Sequence, residues 1–163
     1  MTYRKILFIC HANTSRSIIA EALLKRMIEE RALHDHLTVE SGGIASYARD
    51  GALVSMDARL VLRDAGIHLP TGAVSTDLKR NRHLIAEADL ILAMTDQQVR
   101  MLRESFPEAA EKEVFTLKAF AGGAGDIEDP VGKSEDVFAA CRDEIQACLE
   151  QAMARLAPVQ SSV

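Results

Sequence analysis

The sequence lacks any apolar run approaching the ~18 residues that a membrane span needs, so no membrane partner is expected. It lacks a secretory cleavage site as well. The opening MTYRKILFICHA places basic residues before an apolar stretch, but that stretch is short and ends in Cys10-His11, so it reads as a first strand. Cysteine is scarce: three residues, an odd count, make a disulfide framework improbable. Cys141 and Cys148 fall on one predicted helix, roughly 10 Å apart along its axis, too far for a bridge. A reducing cytoplasm is the expected location. Positive charge is also in short supply. The net charge of −5 argues against a nucleic-acid partner. It leaves a phosphate site open, because a pocket depends on local geometry. Internal repeats, linkers and low-complexity tracts are missing apart from the end of the chain.

What is present is the profile of one globular domain over residues 1–157, followed by a C-terminal tail at 158–163. Residues 5–9 (KILFI) predict a short buried strand. A helix is predicted over 17–33, with Ile18, Ala22, Met27 and Ile28 facing inward. A second strand at 37–40 is closed by Ser41-Gly42-Gly43, and a helix over 57–65 ends at Gly66. Residues 89–94 (DLILAM) form an apolar strand, followed by a helix that Thr95 or Asp96 caps and Pro107 ends. A fourth strand covers 114–117, residues 121–133 read as a Gly- and Asp-rich loop, and a last helix starts near Glu135. Its stripe Phe138, Cys141, Ile145, Cys148, Ala152 predicts two core thiols. Strands alternating with helices imply an α/β fold: a three-layer sandwich around a central four-stranded parallel sheet.

The informative segment is Cys10-His11-Ala12-Asn13-Thr14-Ser15-Arg16-Ser17, between the first strand and the first helix. A loop wrapping from a strand end into a helix N-terminus can aim successive backbone N–H groups at one anion, with the helix dipole behind them. Residues His11 to Ser17 would form that cradle. A thiolate at Cys10 would be stabilised by the amides, the dipole and Arg16. Arg16 offers a planar fork suited to two phosphate oxygens. As an ordinary solvated residue of the first turn it would oppose the dipole. Cys-x5-Arg alone is a weak signal; Cys-x5-Arg-Ser at a strand-to-helix turn is a much stronger one. Farther on, Pro130 restricts Asp129 to extended backbone, so a Gly-rich loop carries a rigidly presented carboxylate.

This segment resembles the low-molecular-weight protein tyrosine phosphatase family, whose loop reads Cys-x-Gly-Asn-x-Cys-Arg-Ser. The resemblance extends through Ala20-Glu21-Ala22, Ser41-Gly42, residues 89–94 and Asp129-Pro130. It implies that Cys10 is the nucleophile, Arg16 the phosphate ligand and Asp129 the general acid and later base. It implies also that Asn13 and Ser41 hold the loop in shape. The chain departs from the pattern at Ala12, where the family has glycine, and at Ser15, where it has a second cysteine able to trap an oxidised nucleophile. It departs again at Val131, often aromatic in the family. Thr14, with residues 92–95 and 114–118, resembles the bacterial protein-arginine phosphatases of the same fold. The implied activity is hydrolysis of a phosphorylated protein side chain through phosphocysteine. Phosphoarginine is the favoured substrate, phosphotyrosine the alternative, with Thr14 and Val131 setting specificity. A non-catalytic phosphate-binding module is the reading from another class, raised by Ala12. No cofactor or metal is called for, and the oligomeric state is open.

Other motifs are weaker. Gly132-Lys133-Ser134 lacks the earlier glycine of a nucleotide-binding loop, with Ile127 in its place. His34-Asp35-His36 reads as solvated polar residues and not a metal site. Arsenate reduction would need more suitably placed cysteines.

Overall fold

The computed structural model describes residues 3–157; the expected tail at 158–163 lies outside them. Four strands form one parallel sheet in the order β2-β1-β3-β4. They are β1 (Lys5–Cys10), β2 (Thr38–Gly43), β3 (Leu90–Ala93) and β4 (Glu113–Thr116). Parallel pairing demands a crossover between strands, and helices supply it. These are α1 (Arg16–Glu30), α2 (Met56–Asp64), α3 (His83–Glu87), α4 (Asp96–Ser105), α5 (Leu117–Phe120) and α6 (Glu135–Leu156).

The side-chain period of two sorts each strand between two cores. Ile6, Phe8 and Leu92 pack on one face against α1, α2, α5 and α6. Leu7, Ile9 and Ile91 pack on the other against α3 and α4. The three-layer sandwich follows, and it explains why the central strands β1 and β3 read as unbroken apolar runs. Ile18, Ala22, Met27 and Ile28 of α1 are all buried, as their spacing predicts. No helix among the described residues is long and apolar enough to cross a membrane.

Several boundaries differ from the sequence expectation. Ser41-Gly42-Gly43 does not close β2 but continues it, paired with Phe8, Ile9 and Cys10. The neighbouring strand's hydrogen bonds override the turn propensity of Ser-Gly-Gly. Helix α1 ends at Glu30, because Ala32 adopts a left-handed φ of 54° and breaks the ladder. Gly66, at φ 88°, terminates α2 as expected, and Ile67 N–H closes back onto the Leu62 carbonyl. Leu117 opens α5 where β4 was expected to continue, since the Thr116 hydroxyl caps the Ala119 N–H. In α6 the buried stripe runs Phe138, Cys141, Ile145, Leu149, Ala152. Cys148 therefore sits at its margin and is only half-buried, which corrects its reading as a core thiol.

Candidate active site

Strand β1 ends at Cys10 in the middle of the sheet, and α1 begins six residues later at Arg16. The turn between them is buried to an unusual degree for a loop: Asn13, Ser15, Arg16 and Ser17 are each less than 5 % exposed. Its shape depends on Asn13, which takes a left-handed φ of 61°; asparagine tolerates that conformation better than most residues. Ala12 is not left-handed, so its φ does not call for the family's glycine. The close approach lies on the other side. A Cβ on Gly43 would come within 2.8 Å of the Ala12 carbonyl carbon and the His11 oxygen. Gly43 is thus what lets β2 lie flush against the loop.

The Asn13 side chain is fully used. Its Oδ1 accepts from Thr76 N–H at 2.9 Å, which fixes the amide orientation. Its Nδ2 donates to Ser17 Oγ at 2.7 Å and to Ser41 Oγ at 2.9 Å. Each serine hydroxyl accepts one of those hydrogens and is left to donate its own. Ser41 donates to a Glu21 carboxylate oxygen. Ser17 Oγ lies 2.9 Å from Cys10 Sγ. Asn13 N–H reaches the same sulfur at 3.2 Å. The Ser17 hydroxyl and the Asn13 N–H thus converge on Cys10 Sγ. Asn13 and Ser41 are brought together as expected; Glu21 and Thr76 complete the support, a role their sequence context gave no reason to single out.

The N-terminus of α1 is left without a side-chain cap. Ser15 occupies the cap position but makes no capping bond, and no acidic residue lies in the first turn. The Ser15 hydroxyl is buried without a partner among the described residues. By contrast, Ser55 caps α2 and Thr95 caps α4 within a capping box. Uncapped amides at a helix start are the groups that take up an anion.

Arg16 bridges this loop to residues 127–129. Its Nη1 donates to the Ile127 carbonyl at 2.7 Å, and Nη2 stands 3.8 Å from Asp129 Oδ2. The guanidinium is buried, whereas the Asp129 side chain is 52 % exposed. Asp129 Oδ1 accepts from Val131 N–H at 3.0 Å, a local turn across Pro130 that fixes the carboxylate. Val131 is itself exposed. Thr14 is half-buried, and its carbonyl accepts from Ser55 N–H at 2.9 Å. His11 is half-buried beside Cys10, and its Nδ1 lies 3.1 Å from Gln98 Nε2. Burial, followed by the Arg16 charge, pushes the His11 imidazole below its usual range, with Asp129 opposing. His34 and His36 are exposed.

Comparison with known proteins agrees with the geometry. The chain is 40 % identical over 157 residues to a protein-arginine-phosphatase of Geobacillus stearothermophilus, covering 96 % of this chain and 97 % of that one. It is 32 % identical to the low molecular weight protein-tyrosine-phosphatase PtpB of Staphylococcus haemolyticus, covering 82 % and 86 % respectively. Among solved structures, a YwlE arginine phosphatase with cysteine replaced by serine, and that active-site serine phosphorylated, superposes with a TM-score of 0.83 at 35 % identity. That match covers 93 % of this chain and 94 % of the other. Residues 5–161 match the low molecular weight phosphotyrosine protein phosphatase family, and the chain belongs to it.

Proposed function

We propose that this protein is a cysteine-dependent protein phosphatase and that its substrate is phosphoarginine in proteins. The observation that carries the reading is the convergence of Ser17 Oγ and Asn13 N–H on Cys10 Sγ beside an uncapped helix start. In the first step the Cys10 thiolate attacks phosphorus and an S–P bond forms. The P–N bond to the arginine side chain breaks, and Asp129 delivers a proton to the leaving nitrogen. Arg16 and the loop amides bear the charge on the phosphoryl oxygens. In the second step water attacks phosphorus, Asp129 takes its proton, and the S–P bond breaks to release phosphate and the thiolate.

The phosphoserine in the YwlE structure supports a covalent intermediate at the cysteine position. The name of the Geobacillus relative supports phosphoarginine, as does Thr14 at the position where that branch carries threonine. Phosphotyrosine is the second reading, favoured by the PtpB relative. A soluble protein acting in a reducing cytoplasm suits a mechanism that depends on a free thiol.

The deciding experiment compares turnover of phosphoarginine and phosphotyrosine peptides on one preparation. A higher kcat/KM for phosphoarginine is expected. Preference for phosphotyrosine would replace the substrate assignment. No turnover of either would leave a phosphate-binding module.

A further inference from the structure

His11 and Gln98 make a contact that the phosphatase reaction does not require, and its chemistry is determined by what lies behind it. Gln98 is fully buried at the third position of α4. Its Oε1 accepts from Met94 N–H at 3.0 Å and from Thr95 N–H at 3.2 Å. Two backbone donors on one oxygen fix the orientation of the amide, since a flip would set its NH2 against both of them. The NH2 group must then face His11 Nδ1, 3.1 Å away. An NH2 group only donates, so Nδ1 must be the bare, accepting nitrogen. The ring hydrogen is therefore on Nε2, and a second proton on Nδ1 would collide with the amide. The capping box of α4 thus dictates the tautomer and the charge of a residue next to the nucleophile.

We propose that His11 is a specificity-determining residue of this site, held by Gln98 as a neutral Nε2–H donor so that no second positive charge stands beside Cys10. The proposal rests on the phosphoarginine reading. A phosphorylated guanidine leaving group carries positive charge as it is protonated, and an imidazolium beside it would oppose that step. Arg16 already supplies the cation that the phosphoryl group needs. The charged groups that act on the ring are Arg16, which opposes its protonation, and Asp129, which favours it. From α4 only the neutral amide of Gln98 meets Nδ1.

Gln98→Glu isolates the effect. Glutamate serves the third position of a capping box as well as glutamine does, so α4 keeps its cap. One carboxylate oxygen still accepts from residues 94 and 95, and the other now faces Nδ1 and demands a proton there. Nitrogen-15 NMR of the unsubstituted protein is expected to show His11 as the Nε2–H tautomer, titrating below 6.5. In Gln98→Glu the titration is expected above that value, with an unchanged melting temperature. Below the raised pKa, the ratio of kcat/KM for phosphoarginine over phosphotyrosine peptide should fall about tenfold, a change of ~1.4 kcal/mol in relative barrier. An Nδ1–H tautomer in the unsubstituted protein, or a titration that Gln98→Glu does not move, would overturn the lock. A moved titration with an unmoved ratio would overturn the specificity role. Failure of the unsubstituted protein to turn over phosphoarginine would instead remove the substrate reading, and with it the specificity role, while the tautomer result stood on its own.

Discussion

The two loops that meet at Arg16 are built in opposite ways. The turn from Cys10 to Ser17 is buried, and its asparagine spends every side-chain hydrogen bond on internal partners. The loop carrying Asp129 is exposed and rich in glycine, with Gly122, Gly125 and Gly132 all at positive φ. Its anchors near the site are few: Ile127 N–H on the Met94 carbonyl, Asp126 on the Asp96 N–H, and Arg16 itself. The difference follows from what each end of the reaction handles. A phosphoryl group has one shape, so its cradle benefits from being formed in advance. In the proposed reaction the leaving group is a protein side chain that must enter and depart, and the exposed Asp129 carboxylate, its proposed acid, stands where substrate can reach it.

If that division holds, substitutions should divide the same way. The largest effect is expected for Cys10→Ser, which should abolish turnover while phosphate still binds and the fold persists, because a hydroxyl is a far weaker nucleophile than a thiolate. Measurable steady-state hydrolysis by this variant would contradict a phosphocysteine mechanism. Arg16→Lys comes next. It keeps the charge but loses the fork and the Ile127 contact, and kcat/KM should fall ~100-fold or more for every substrate alike. A near-normal rate would place Arg16 outside the chemistry.

On the other loop the effect should depend on the substrate. Asp129→Asn is expected to slow poor leaving groups ~100-fold and to leave activated aryl phosphates little changed, since those need almost no protonation. A slope of zero against leaving-group pKa would reduce Asp129 to a structural partner of Arg16. The smallest effect is expected at Thr14, the half-buried loop residue proposed to set specificity. Thr14→Ile keeps β-branching and removes the hydroxyl. It should lower phosphoarginine hydrolysis and spare phosphotyrosine, shifting the ratio of kcat/KM about tenfold. An unchanged ratio would remove Thr14 as a discriminator.

The buried turn was legible in the sequence because its residues are chemically distinctive. Cysteine, asparagine and arginine between an apolar strand and an amphipathic helix have few other uses. Ser41 entered by resemblance, and the Asn13 amide joins it to Ser17. Glycine at 43 was legible only as punctuation. Its reason, the backbone of residues 11 and 12 lying against it, is a contact between separate parts of the chain. Gln98 carries no signal of its own in the sequence, yet it is fully buried, where the start of α4 meets the end of β3. Helix α3 has only five residues, too few for a period to show. Cys148 shows the converse error: spacing of three and four also fits a neighbouring line of the helix, and Leu149 took the buried place.

The order of the strands carries a kinetic consequence. The strand that delivers Cys10 is central, and it pairs with residues 38–43 on one side and 90–93 on the other. Asn13 then waits for Thr76, 63 positions away, and Arg16 for Ile127, 111 positions away. Contacts so distant along the chain close late, after local helices have formed. On refolding from denaturant, helical circular dichroism should therefore recover ahead of phosphatase activity, and the regain of turnover should follow the slowest phase. Coincident recovery of the two signals would mean that the loop assembles together with the helices and not after them.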